Sequence, residues 1–211
     1  MKLYYSPGAC SLAPHIVARE AGLAFDLVKV DLAKRKTETG EDYLAINPRG
    51  LVPAIQLDDG EVHTEAAALV QYLAEQAPQS NLAPPAGSKE RFRVNQWLAF
   101  VASELHKTFS PWLFQAEAAD STKQAVREKL GLRFAELDRH LATRAYLTGD
   151  VFTAADAYAF TIVNWSNFVS VDLAPYHHLS AYMARVAARP KVREALVAEG
   201  LVAARSEGAM P

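Results

Sequence analysis

Cysteine, charge excess and long apolar runs are all scarce in this sequence, and each shortage removes a class of function. One cysteine in 211 residues excludes an internal disulfide and suits a reducing compartment. That residue, Cys10, is followed by Ser11-Leu12-Ala13. No second thiol stands at the C-x-x-C position, so a dithiol mechanism is excluded. The net charge of −2 leaves no electrostatic footprint for nucleic acid or an anionic membrane. No apolar run approaches the ~20 residues that span a bilayer. Pro7 and Pro14 break what would be the apolar centre of a signal peptide, which makes the expected location cytoplasmic. The six histidines lack ligand spacing with carboxylates or sulfur, so no metal site is expected. Gly-rich phosphate loops and G-x-S-x-G are also missing.

What is present begins with Tyr4 to His15. Leu3-Tyr4-Tyr5 reads as a strand, Pro7-Gly8 as a turn, and Leu12, Ile16 and Val17 fall at helical spacing. Cys10 then stands beside a helix N-terminus, where unpaired N–H groups and the macrodipole favour a thiolate. A free cysteine titrates near ~8.5, and such a position lowers that value. The competing reading makes Cys10 a small buried hydrophobe.

Further along, Phe25–Val30 predicts a second strand, and the basic stretch around Lys34-Arg35-Lys36 a solvated loop. Asn47-Pro48-Arg49-Gly50 is a turn before Leu51–Leu57, a strand whose internal Pro53 suits a strand start with a cis Val52-Pro53 bond. Asp58-Asp59-Gly60 predicts a hairpin into Glu61-Val62-His63. Thr64 is the expected N-cap of the next helix, with Glu65 near the positive end of its dipole.

Proline and glycine punctuation marks residues 78–88 as a linker between an α/β unit at 1–77 and an all-helical unit at 89–211. The first helix of the second unit is expected from Lys89 to about Leu113. Val94, Trp97, Leu98, Val101, Leu105, Phe109 and Trp112 fall on one face, and Ala99, Ser103, His106 and Ser110 on the other. Pro111 should end or kink it. A second helix is predicted from about Thr122 to Leu141. Thr153–Asp156 has capping-box spacing ahead of Tyr158–Val163, and two helices near Leu179–Ala188 and Lys191–Glu199 follow. His177 and His178 read as loop residues.

The candidate chemistry lies in both units: Cys10, Arg35, the Val52-Pro53 backbone, the Glu65-Ala66 helix start and the polar face carrying His106. A thiolate, a cation, free strand groups, an anion-friendly helix start and a histidine suit a small zwitterionic peptide with carboxylates and a thiol. The segments Met1–Leu12, Asn47–Pro53, Thr64-Glu65, Ser103–Lys107 and Thr153–Tyr158, taken in order, resemble bacterial beta-class glutathione S-transferases. The likeness runs from Met1 to about Leu201.

That resemblance implies a thioredoxin-like domain followed by an all-helical domain, a homodimer, and glutathione as co-substrate in the cleft between domains. It implies that Cys10, His106 and Ser11 lie at the reacting sulfur, with Cys10 able to form a mixed disulfide. Arg35, Val52, Pro53, Glu65, Ala66 and Lys107 would bind glutathione, and Ser103 and Glu104 would reach it from the partner subunit. The reaction implied is conjugation to a small electrophile. A thiol–disulfide exchanger and a non-catalytic ligand-binding protein on the same fold are the competing functions. Leu51, Ala66 and Ala99 depart from the family's usual residues. Each hydrogen bond to a charged group lost in this way costs roughly 1.5–3 kcal/mol, which predicts weakened glutathione binding.

Overall fold

The computed structural model describes residues 1–204. Its first half is a five-stranded sheet in the order β3-β2-β1-β4-β5. The strands are β1 (Lys2–Tyr5), β2 (Asp26–Asp31), β3 (Lys36–Thr37), β4 (Ala54–Gln56) and β5 (Val62–Thr64). β1 runs parallel to β2, with Leu3 beside Leu27, and antiparallel to β4, with Leu3 beside Ile55. The parallel pair needs a crossover, which α1 (Leu12–Glu20) supplies. β4 and β5 form the expected hairpin, closed by the Leu57 N–H donating to Glu61 at 2.9 Å. β3 is a two-residue edge strand inside the segment read as loop, and α2 (Tyr43–Ile46) follows it. α3 (Ala66–Glu75) starts one residue later than expected: Thr64 ends β5, and Glu65 is the N-cap.

Helices α4 (Lys89–Phe100), α5 (Lys107–Phe109), α6 (Asp120–Leu141), α7 (Ala154–Val163), α8 (His177–Ala187) and α9 (Pro190–Ala198) form the second half. His177 and His178 open α8 rather than sitting in a loop. The long helix expected to run to Leu113 ends at Phe109, before a cis Ser110-Pro111 bond, and carries a π-helical turn over Val101–His106. Trp112 therefore falls beyond its end and is exposed.

Every residue of α7 is buried. Its start is set by the predicted capping box. Asp156, buried and pushed up to about 6 by desolvation, accepts from the Thr153 N–H at 2.9 Å and the Leu147 N–H at 2.8 Å. One apolar core joins α1 and α3 to α4, α6, α7, α8 and α9, so the two halves share their interior.

The halves are also joined by polar contacts at the loop before α1. The Gly8 N–H donates to Glu199 Oε2 at 2.9 Å, and the Gly8 carbonyl accepts from Trp165 Nε1 at 2.8 Å. His15 Nε2 accepts from Arg19 Nε at 2.7 Å, which leaves Nδ1 as the donor to Glu199 Oε1 at 2.8 Å. The side chains of His15 and Glu199 are fully buried. Removing one partner of such a pair leaves the other buried and unpaired, at a cost of ~3–5 kcal/mol. Glu199→Ala should accordingly lower Tm by about 10 °C in a thermal melt. A melt unchanged within error contradicts the clamp.

Candidate functional site

Where the two halves meet, a cleft of about 600 Å³ opens beside the start of α1. Its sheet-side wall comes from the Pro7–Cys10 loop, from Asn47, Arg49 and Leu51–Pro53, and from Thr64–Ala67. Its helix-side wall comes from Ala102, His106, Lys107, Ser110, Phe114 and Tyr158, with Trp165, Phe168 and Leu201 closing one end. The first wall offers backbone and charge, the second mainly aromatic surface.

Cys10 lies at the floor. Its Sγ donates to the Val52 carbonyl at 3.2 Å, just ahead of the cis Val52-Pro53 bond. Burial pushes the thiol up to about 12; the N–H groups of Cys10 and Ser11 and the Lys107 charge pull the other way, and Glu65 adds to the rise. The helix-terminus effect expected from the sequence is therefore present, but desolvation outweighs it, and Cys10 is a thiol at neutral pH.

Ser11 is a correction. It is fully buried, and its hydroxyl bridges the Ser6 backbone, accepting from the N–H at 3.2 Å and donating to the carbonyl at 3.3 Å. As the N-cap of α1 it turns inward and braces the loop, so it offers no donor to the cleft. Arg35 is a second correction. Its guanidinium donates to the Gly50 carbonyl and does not line the cleft, whose wall takes Leu32 from the β2–β3 loop.

Glu65 and Ala66 stand at the cleft as expected. Glu65 has a φ of 71°, the left-handed region that non-glycine residues seldom occupy and that clusters at functional sites. Its carboxylate pairs with Arg49 at 2.6 Å, both side chains exposed. The sequence reading treated Arg49 only as a turn residue; its spacing from Glu65 carries no local signal. The carbonyl of Glu65 accepts from the N–H groups of Ala68 and Leu69, which leaves those of Ala66 and Ala67 as the first-turn donors facing the cleft.

His106 lines the other wall, with its Nδ1 2.6 Å from the Tyr158 hydroxyl. Its ring meets Trp165 edge-on, centroids 5.0 Å apart. Burial, reinforced by the neighbouring Lys107 charge, lowers the imidazole to about 4, so it is neutral at physiological pH. Lys107 is exposed at the rim.

Ser103 and Glu104 face away from this cleft. Ser103 is exposed and donates to the Ala99 carbonyl at 2.9 Å, and Glu104 is held by Arg133 at 2.8 Å and Lys129 at 3.5 Å. The π-helical turn explains the displacement: its wider winding breaks the 100° phase, so Ala102 rather than Ser103 shares the cleft face with His106 and Ser110. Ala99 is likewise outside the cleft, whereas Leu51 and Ala66 line it. Trp165 reaches the cleft, and Phe109 is core. Tyr158, Phe114 and Phe168 were missed because only the packing of α7, of the turn between α5 and α6 and of the loop after α7 brings them there.

A mixed sheet of this order, with a lone cysteine at the start of its first helix and an all-helical unit closing over it, is a thioredoxin-like domain joined to an all-helical domain. Residues 8–76 match the glutathione S-transferase N-terminal domain family and residues 100–190 its C-terminal domain family. The chain is 46% identical to glutathione S-transferase GstA of Escherichia coli O157:H7 over 201 residues, covering 95% of this chain and 100% of that protein. Among solved structures, it is 48% identical to a bacterial beta-class glutathione S-transferase of Sphingomonas chungbukensis (TM-score 0.92, covering 96% of this chain and 100% of that one). A sphingomonad glutathione S-transferase complexed with glutathione is 50% identical (TM-score 0.91, 96% and 100% covered). The chain belongs to the glutathione S-transferase family.

If burial holds Cys10 as a thiol, iodoacetamide should alkylate it at pH 7.5 on the order of 10³-fold more slowly than a free cysteine. Alkylation at the free-cysteine rate, followed by mass spectrometry, is the contrary result.

Proposed function

We propose that this protein is an enzyme that conjugates glutathione to small electrophiles with flat, apolar bodies, working in the cytoplasm as a homodimer. The observation that carries this reading is the division of one cleft into a peptide-holding wall and an aromatic wall. On the first wall, the N–H groups of Ala66 and Ala67 suit the γ-glutamyl carboxylate and Glu65 its ammonium group. The Val52 main chain pairs with the cysteinyl backbone as a short strand would, next to Pro53. The glutathione sulfur then lies by Cys10, His106 and Lys107, facing Tyr158, Phe114, Trp165 and Phe168.

In this reading the thiolate of glutathione attacks the electrophile, the new C–S bond forms, and the leaving group departs with its electron pair. Residues 1–77 hold the peptide, residues 89–211 the electrophile, and 78–88 join them. Ala66 keeps its backbone donor, and Ala99 lies outside the cleft, so the losses foreseen from sequence bear less heavily on glutathione. Ser103 and Glu104 face outward, where a second subunit would meet them.

Detoxification of reactive electrophiles is the physiological role that fits. Exchange through a Cys10 mixed disulfide is a slower side reaction, because the thiol form predominates.

The protein should be retained on immobilised glutathione, turn over an activated chloronitroarene, and scatter light as a particle of twice the chain mass. No retention together with no turnover overturns the enzyme reading, and a monomer overturns the dimer. Cys10→Ala should keep kcat/KM for conjugation within about tenfold, since it removes one neutral hydrogen bond at most. Loss of conjugation with the fold intact would instead make Cys10 the reacting group.

A further inference from the structure

His106 and Tyr158 come from different helices, 52 residues apart in sequence, and meet at 2.6 Å. The meeting depends on two local devices. The Thr153–Asp156 cap sets the register of α7, and the π-helical turn of Val101–His106 ends on the imidazole at the cleft wall. Both partners have limited hydrogen-bonding options. A phenol has one proton to give, and a neutral imidazole has one nitrogen that donates and one that accepts.

We propose that Tyr158 is a positioning residue that fixes the tautomer of His106: the phenol donates to Nδ1, the ring proton is confined to Nε2, and Nε2–H is a donor to the reacting sulfur. The reverse arrangement, Nδ1–H donating to the phenol oxygen, takes from the Tyr158 proton the one partner that the hydroxyl has among the described residues, on a side chain only 2% exposed. An unsatisfied buried donor of that kind costs ~1–3 kcal/mol, so the first arrangement is favoured. Burial supports it from both sides. It raises Tyr158 well above the usual phenol range, with Cys10 and Glu65 adding to the rise, so the phenol keeps its proton. It also holds His106 neutral, with the Lys107 charge acting in the same direction.

The consequence rests on the glutathione reading and narrows it. A ring with its proton on Nε2 cannot take the thiol proton, so the S–H of glutathione loses that proton to solvent. The sulfur anion then accepts a hydrogen bond from Nε2–H until its lone pair forms the C–S bond and the leaving group departs. His106 is thus a stabiliser of the thiolate and not a general base.

The test is imidazole ¹⁵N NMR of the full, ligand-free chain labelled at histidine, paired with steady-state kinetics. The wild type should show His106 with Nδ1 unprotonated and Nε2 protonated between about pH 5 and pH 8. Tyr158→Phe, which keeps the ring and removes the donor, should mix the tautomers and move the imidazole titration upward. It should also lower kcat about tenfold, the size of one neutral hydrogen bond, with KM for glutathione within about twofold. A wild-type spectrum with Nδ1 protonated overturns the proposal without any variant. So does a Tyr158→Phe protein with the tautomer and kcat of the wild type. The NMR needs no turnover: a protein with the Nε2–H tautomer but no conjugation would sink the function reading and leave the tautomer assignment standing.

Discussion

The peptide group of Gly8 is the point on which the rest of the structure turns. Its N–H and its carbonyl are both held by the helical half, through Glu199 and Trp165. Gly8 has a φ of +71°, and a Cβ there would lie 3.1 Å from Phe168 and 3.3 Å from Leu201. A side chain there is strained by the backbone conformation and would also need Phe168 and Leu201 to give by a few tenths of an ångström. Two residues on is Cys10, and the next turn is α1. The position of the cysteine is thus set by contacts from the far end of the chain, and the cleft has its shape only when the halves are docked.

Burial then decides which groups in that cleft carry charge. Cys10, His106 and Tyr158 are all driven to their neutral forms. The charges that remain, the Arg49–Glu65 pair and Lys107, stand at the exposed rim. A floor of neutral donors in a low-dielectric setting strengthens each hydrogen bond to an incoming anion without the expense of desolvating a protein charge. That arrangement suits a ligand that brings its own thiol and carboxylates. The protein's own cysteine keeps its proton and bonds the Val52 carbonyl.

The resemblance and the local patterns differ in what they made legible. The strand at Phe25–Val30, the hairpin at Asp58-Asp59-Gly60 and the capping box at Thr153–Asp156 rest on periodicities and caps within a few residues. All of them are found close to where they were expected. Cys10, Val52, Pro53, Glu65, Ala66, His106 and Lys107 were marked by ordered motifs, and they do line one cleft. Ser11, inside the first motif, and Arg35, a basic position outside the motifs, do not line that cleft, because side-chain direction at a cap or a left-handed turn depends on what packs against it.

By itself, the sequence determined the order and type of the elements and the residue types present at the cleft, because propensity, capping and turn chemistry act over one or two turns of chain. Tertiary structure alone decided the contacts that span 52, 157 and 191 residues, from Tyr158 to His106, Trp165 to Gly8 and Glu199 to Gly8. It also decided the protonation states. A helix start argues for a Cys10 thiolate, and only the burial created by the second half of the chain reverses that argument, since the cost of an ion in a low-dielectric interior outweighs the pull of a few N–H dipoles.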